Sequence, residues 1–219
     1  DPAAAPAMMF ELALDSFYAD DYPAMLGWAE RAASAGDPPM RAAATALSAV
    51  VHVLAGDVAA ARTARDRAAG LVDALADETL AGRLDAAMYL ATVEYYLDRF
   101  AEADAHAGRA LRLARESGQA EAFPIYYPTA GCIRWIRGQI AAATAFFEAA
   151  IDGAHVCGTR YMLAWTRIDA SLARSGAGDH DTAWALLADD DPLGVLHQAY
   201  PTALAGAAHR VRVRSALAA

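Results

Sequence analysis

The side-chain types that hold metals are scattered along the chain rather than grouped. Its six histidines form no His-Glu-x-x-His pair and show no ligand spacing along one helix face. His155 and Cys157 are two residues apart, so on a helix their side chains would point about 200° apart and could not share a metal without distortion. The sequence therefore predicts no metal site, and we expect no cofactor in this chain.

Patterns for nucleophilic or phosphate chemistry are also missing from the sequence. The chain has no Gly-x-Ser-x-Gly elbow and no dinucleotide fingerprint. All 18 basic residues are arginine, so no Walker A phosphate loop, which needs lysine, can be completed. The acidic run 189–191 precedes Pro192 and is interpreted as a helix stop and start rather than a calcium loop. The sequence thus predicts a protein that is not an enzyme.

Aromatic side chains in the middle of the chain form the predicted binding surface. They fall on the first helix of each predicted helix pair, on the side that would line a concave groove. The predicted ligand-binding residues are Met88, Tyr89, Thr92, Tyr95, Tyr96, Trp135, Trp165 and Asp169. Ring faces combined with phenol hydroxyls suit a sugar, a drug-like ring or an apolar peptide side chain. The open alternative is that these residues pack between helices.

Two arginines follow a proline-containing segment that interrupts the helical pattern. Pro124 and Pro128, four residues apart, should delay or kink the helix that precedes Gly138, which would open a gap beside the tyrosines. Arg134 and Arg137 would then offer forked donors to a carboxylate or phosphate. The alternative is a loop leading into a shortened helix with solvated arginines.

Composition favours helices and excludes several classes of partner. Much of the 57% hydrophobic content is alanine, the best helix former. The net charge of −9 argues against binding of nucleic acid or an anionic membrane by the chain as a whole. Two cysteines are too few for a disulfide scaffold, no signal-peptide pattern opens the chain, and the apolar run 42–56 is too short to span a bilayer. We expect a cytoplasmic protein, and the initial Asp1 suggests a fragment of a longer one.

One pattern recurs along the chain and predicts its architecture. Turn positions occur at Asp20, Gly56, Asp98, Gly138 and Gly178, in steps of 36, 42, 40 and 40 residues. Glycine and aspartate tolerate the left-handed conformation that ends a helix, and Asp21, Asp57 and Asp179 can cap the helix that follows. Small residues then recur on one face, where they let two helices approach closely; they are Ala61, Ala103 and Ala143, and seven residues further on Ala68, Ala110 and Ala150, with Ala32 in the first copy.

The helical pattern gives a prediction for each element. Helices are expected at 7–18, 22–35, 40–54, 58–75, 79–97, 100–117, 120–137, 139–156, 160–175 and 179–188, with a terminal helical region from about 192 to 217. We predict an all-α fold, an α-solenoid of about five helix pairs with a C-terminal capping region, in a single domain spanning 1–219. A closed helical bundle is the alternative, although it does not explain the repeat.

The order of small residue, Gly-Asp turn, aromatic residue and paired small residues resembles the tetratricopeptide repeat (TPR). The step of about 40 residues exceeds the usual tetratricopeptide length of about 34. Longer steps, and phrases such as those at 98–103, 108–118 and 177–179, resemble the helical-repeat region of large ATP-binding regulators of the LuxR type, which are similar to the bacterial maltose-regulon activator. The resemblance covers most of the chain.

The resemblance implies a sensor or signalling region of a transcription regulator. A protein partner or a small-molecule effector would occupy the concave groove, while ATP and DNA would be bound by domains outside this chain. The alternative is a stand-alone TPR scaffold for protein–protein interactions, although the apolar and aromatic groove positions disfavour a clamp for peptide carboxylates. No membrane partner is expected. The terminal helical region could cap the last repeat or pair with a second copy, so an oligomer is left open.

Overall fold

The computed structural model describes residues 4–19, 21–119, 126–157 and 160–188. Within these ranges the secondary structure is helical and contains no strand, which confirms the all-α prediction. None of the helices found there is both long and apolar enough to cross a bilayer. The helices are α1 (Ala5–Tyr18), α2 (Tyr22–Ala35), α3 (Pro38–Leu54), α4 (Val58–Asp73), α5 (Asp77–Leu80), α6 (Asp85–Tyr96), α7 (Phe100–Glu116), α8 (Tyr127–Ile136), α9 (Ile140–Cys157), α10 (Arg160–Gly176) and α11 (His180–Ala188).

The chain divides into two compact units, Asp1–Ala120 and Glu121–Ala219. In the first unit, α2 packs against α1 and α3, and α3 also packs against α4 and α6, while α6 packs against α7. In the second unit, α9 packs against α8 and α10, and α10 also packs against α11 and α8. Each long helix within a unit therefore packs against its neighbour in the chain. The single repeat domain over 1–219 stays a prediction.

The predicted turn residues end their helices in the left-handed conformation. Gly56, Asp98, Gly138 and Gly178 have φ angles of 82°, 61°, 75° and 84°. At each of them the next backbone N–H donates to the carbonyl five residues back, over 2.8–3.0 Å, as in the pairs Asp57–His52, Arg99–Glu94, Gln139–Arg134 and Asp179–Arg174. This is the Schellman arrangement, which satisfies helix-end carbonyls. The fifth predicted turn residue, Asp20, lies outside the described residues.

Aspartate side chains begin the helices that follow these turns. Asp21, Asp57 and Asp179 accept hydrogen bonds from the backbone N–H three residues ahead, at 3.0, 3.0 and 3.3 Å. Asp37 caps α3 in the same way, at 2.9 Å from the N–H of Met40. Each cap satisfies a donor that the helix itself leaves unpaired. The three predicted caps are therefore confirmed.

The predicted small residues lie at buried helix contacts. Ala61, Ala103 and Ala143 are at most 1% exposed. The second set is also buried, namely Ala32, Ala68, Ala110 and Ala150. Gly131 of α8 takes a comparable place in the second unit, because a Cβ there would lie 2.6 Å from the ring of Phe147 on α9. Residues with little or no side chain therefore bring neighbouring helices together.

The prediction of one helix over 79–97 is wrong. Residues 77–80 form the short helix α5, and α6 begins only at Asp85. Between them, the N–H of Gly82 donates to Thr79 and the N–H of Arg83 to Leu80, three residues back, so the four-residue ladder of an α-helix is interrupted. Two arginines of α7 bind the start of α5: Arg109 and Arg112 donate to Asp77 at 2.8 and 2.7 Å.

Helix α8 begins at Tyr127 instead of near residue 120, and residues 120–125 lie outside the described ranges. Pro128 stands in its first turn, where a missing N–H breaks no intrahelical hydrogen bond. The helix is ten residues long, in agreement with the expected delay. The predicted terminal region at 192–217 lies outside the described residues.

Replacing Ala103 with leucine should destabilise the first unit by about 1–3 kcal/mol, because the larger side chain must enter a fully enclosed contact. Ala101→Leu is the matched control, since Ala101 is exposed on the same helix. Urea unfolding of both variants measures the difference. Equal stability of the two leucine variants would contradict the close approach at Ala103.

Candidate functional site

The predicted groove residues of the first unit all lie on α6, with different degrees of exposure. Met88 is fully buried, and the hydroxyl of Thr92 donates to its carbonyl at 2.8 Å. Tyr89 and Tyr95 are half-buried, whereas Tyr96 is 39% exposed. The five residues therefore span from core to surface, and their shared role in ligand binding stays a prediction.

The tyrosine rings of α6 contact other aromatic rings of the first unit. Tyr89 packs against Phe10 of α1, with ring centroids 6.2 Å apart. Tyr95 lies 5.4 Å from Tyr96 and 6.1 Å from Phe100 of α7. Such tilted pairs stabilise helix contacts. Tyr89 and Tyr95 thus take part in the packing that the sequence left open as an alternative.

Helix α8 carries the predicted residues Arg134, Trp135 and, just after its end, Arg137. Trp135 packs closely on Gly176 of α10: a Cβ added at Gly176 would lie 3.2 Å from the indole ring. Arg134 donates to the side chain of Gln139 at 2.9 Å, and Arg137 is exposed. Arg134 therefore helps to hold the turn between α8 and α9. Anion binding by the two arginines stays a prediction.

Three side chains of α8 and α10 meet inside the second unit. Trp165 and Asp169 are one turn apart on α10, and Cys132, which is 6% exposed, projects from α8. The carboxyl of Asp169 accepts hydrogen bonds from the thiol of Cys132 and the indole N–H of Trp165. We call these three residues the Asp169 cluster. It brings together two predicted ligand-binding residues and a buried cysteine.

The environment of Asp169 changes its acidity. Burial raises the pKa of its carboxyl from 3.8 to about 7, although the hydrogen bonds from Cys132 and Trp165 act in the opposite direction. The residue as a whole keeps partial access to solvent. A carboxyl of this kind is present near neutral pH both as a hydrogen-bond donor and as a charged acceptor.

A second group of titratable residues joins three helices of the first unit. Glu94 of α6 is fully buried. It accepts hydrogen bonds from Arg65 of α4, at 2.9 Å for the Nε atom, and from His106 of α7, at 2.7 Å for Nδ1. The other ring nitrogen of His106 lies 3.2 Å from Asp73. We call these four residues the Glu94 network.

The Glu94 network raises the pKa of His106. Burial alone would lower that pKa, but the hydrogen bond and charge of Glu94, with a smaller contribution from Asp73, outweigh it. Sequence patterns gave no signal for the network, because Arg65 lies 29 residues before Glu94. Its position between α4, α6 and α7 and its satisfied charges indicate a structural role.

A cavity of about 700 Å³ opens in the first unit between α2, α3 and α4. One stripe of α3 forms its floor, with Arg41, Thr45, Ser48 and His52 at spacings that place them on one helix face. The signal for it in the sequence is the polar series at positions 41, 45, 48 and 52. The remaining lining residues are Glu30, Ala33, Ser34, Ala64, Arg67, Gly70 and Leu71.

The chain matches no protein-family model and no curated protein. Among the described residues, no group of three or more His, Cys, Asp and Glu side chains could hold a metal ion. The expectation of no cofactor stays a prediction.

Asp169 should titrate with a pKa near 7 when its carboxyl carbon is followed by NMR. Trp165→Phe removes a donor that favours the charged form, so the pKa should rise further in that variant. Trp184→Phe changes an exposed indole on α11 and should leave the titration unaltered. A pKa close to 3.8 in the unmodified chain would contradict the enclosed carboxyl.

The stability of the first unit should depend on the protonation of His106. Because its folded-state pKa lies above 6.5, the stabilisation is complete below that value and is lost as the pH rises through the folded pKa. His106→Gln should remove this part of the pH dependence in urea unfolding between about pH 6 and pH 9. His52→Gln, a change within the same unit, should keep it; an unchanged slope in His106→Gln would disprove the coupling.

Proposed function

We propose that this chain is a ligand- or protein-binding, TPR-like sensor domain of a bacterial LuxR-type transcription regulator. The Asp169 cluster is the observation that carries the binding role. Two residues assigned to the groove from sequence alone, Trp165 and Asp169, are hydrogen-bonded to each other, and both keep partial access to solvent. Stacked helix pairs supply rigid elements for such a surface.

The chemistry of the Asp169 cluster suits a ligand that combines a flat apolar face with a hydroxyl or amine. The indole of Trp165 offers a ring face for stacking. The Asp169 carboxyl can donate to or accept from a hydroxyl, because its pKa lies near 7. A sugar or an aromatic metabolite meets both requirements, and so does an aromatic side chain of a protein partner.

The assignment to a regulator rests on the repeat and its resemblance. Four turn residues in the left-handed conformation, at steps of 42, 40 and 40 residues, fit the long tetratricopeptide-like repeat of that family. A chain without lysine has no Walker A loop of its own, so ATP binding would belong to another domain, as would DNA binding. We place the regulator in the cytoplasm and assign no reaction to this chain.

Thermal unfolding with a panel of oligosaccharides and aromatic metabolites tests the binding role. A ligand held at about 100 times its dissociation constant should add about 2.7 kcal/mol to the stability of the unit that binds it. Trp165→Ala should abolish the gain, whereas Trp184→Ala, which removes an exposed indole, should preserve it. Stabilisation that survives Trp165→Ala would place the ligand elsewhere.

The regulator and scaffold alternatives differ in the complete coding sequence. A regulator requires an ATPase module before this chain and a helix-turn-helix module after it. A short reading frame without either module would contradict the regulator assignment and favour a scaffold.

A further inference from the structure

The floor of the α2–α4 cavity is a polar stripe on an otherwise buried helix. Residues 42–51 of α3 are buried, and most of them are alanine, valine or leucine. Thr45 and Ser48 are the exceptions within that run, and Arg41 and His52 continue the same stripe at its two ends. The stripe runs from residue 41 to residue 52, twelve residues that span about 16 Å of helix.

The cavity is lined by more basic than acidic groups, although the chain carries a net charge of −9. Its lining contains Arg41, Arg67 and His52, and one carboxylate, Glu30. Two other acidic residues of α4 are engaged elsewhere: Asp66 pairs with arginines, and Asp73 with His106. The local field in the cavity therefore favours an anion.

The basic groups of the cavity keep donors for a ligand. Arg41 donates to the carbonyls of Ala33 and Gly36 at 3.3 and 3.4 Å, which orients its guanidinium, and in the part of the chain that the structure describes no carboxylate forms an ion pair with it. Within the described ranges, no hydrogen bond or ion pair engages the side chain of Arg67. Arginine presents five N–H donors in a fork that fits a carboxylate or a phosphate.

The hydroxyls on the cavity floor complete the set of polar groups. Thr45 and Ser48 donate to carbonyls of their own helix at 2.7 and 2.9 Å. Their hydroxyl oxygens can therefore still accept hydrogen bonds from a ligand. Glu30 adds a second acceptor across the groove on α2. These groups suit hydroxyl donors that lie next to an anionic group. A volume of about 700 Å³ is that of a small-molecule site.

We infer that the α2–α4 cavity binds a small organic anion, with Arg41 and Arg67 on its carboxylate or phosphate group and the hydroxyl stripe and Glu30 on neighbouring hydroxyls. The site lies in the first unit, and it is independent of the Asp169 cluster in the second. If the α2–α4 cavity binds no anion, ligand binding at the Asp169 cluster is unaffected. If the Asp169 cluster binds no ligand, the inference about the cavity is likewise unaffected.

Calorimetric titration of the whole chain at low ionic strength tests the inference. Citrate and glycerol 3-phosphate serve as carboxylate and phosphate probes, and glycerol is the neutral control. We expect saturable binding of at least one anion and none of glycerol. Arg67→Gln should weaken the binding by about tenfold or more, because it removes a charge-assisted contact.

Arg62→Gln is the matched control for charge, since Arg62 is exposed on the same helix but does not line the cavity. It should leave the dissociation constant within about twofold, because a surface charge outside the site contributes little. Circular dichroism of each variant reports whether the helices are retained. Equal weakening by both variants, or no saturable binding of either anion, would overturn the inference.

Discussion

Close approach of neighbouring helices through alanine is the constraint on which the rest of the structure depends. Ala61, Ala103 and Ala143 are enclosed, and each follows a turn by five residues. A methyl group at these contacts leaves the helices near one another and sends larger side chains to other faces. The α2–α4 cavity and the Asp169 cluster each combine residues of neighbouring helices, so both candidate sites depend on how closely those helices approach. A longer side chain at an alanine contact would push apart helices whose close packing these sites need.

Interfaces built from alanine bury little area per residue, and charged groups supply part of the specificity in the first unit. Glu94 is fully buried and is satisfied by Arg65 and His106. A buried pair of this kind adds little net stability, but loss of one partner leaves an uncompensated charge. The network therefore penalises arrangements of α4, α6 and α7 that separate the partners. Asp169 differs from Glu94, because burial raises the pKa of its carboxyl and the side chains that donate to it, Cys132 and Trp165, are uncharged.

Sequence patterns predicted the features that depend on neighbouring residues. Turn glycines, Asp98 and the aspartate caps act within five residues of their own position, and the structure has them where the pattern placed them. The break between α5 and α6 was missed, because Asp77 is bound by Arg109 and Arg112 from another helix. The Glu94 network and the α2–α4 cavity were missed for the same reason, since each combines residues from three helices. The helix face of Trp165 and Asp169 was predicted, but the hydrogen bond from Cys132 and the raised pKa depend on how α8 and α10 pack.

Hydrogen exchange, read by mass spectrometry along the whole chain, tests the central claim of a binding module most directly. Exchange is compared without ligand and with a saturating sugar or aromatic metabolite that stabilises the protein. Binding at the Asp169 cluster predicts slower exchange in α8 and in the part of α10 around Trp165, since a bound ligand suppresses local opening. Uniform protection, or protection confined to helices without these residues, would contradict a ligand site at the Asp169 cluster.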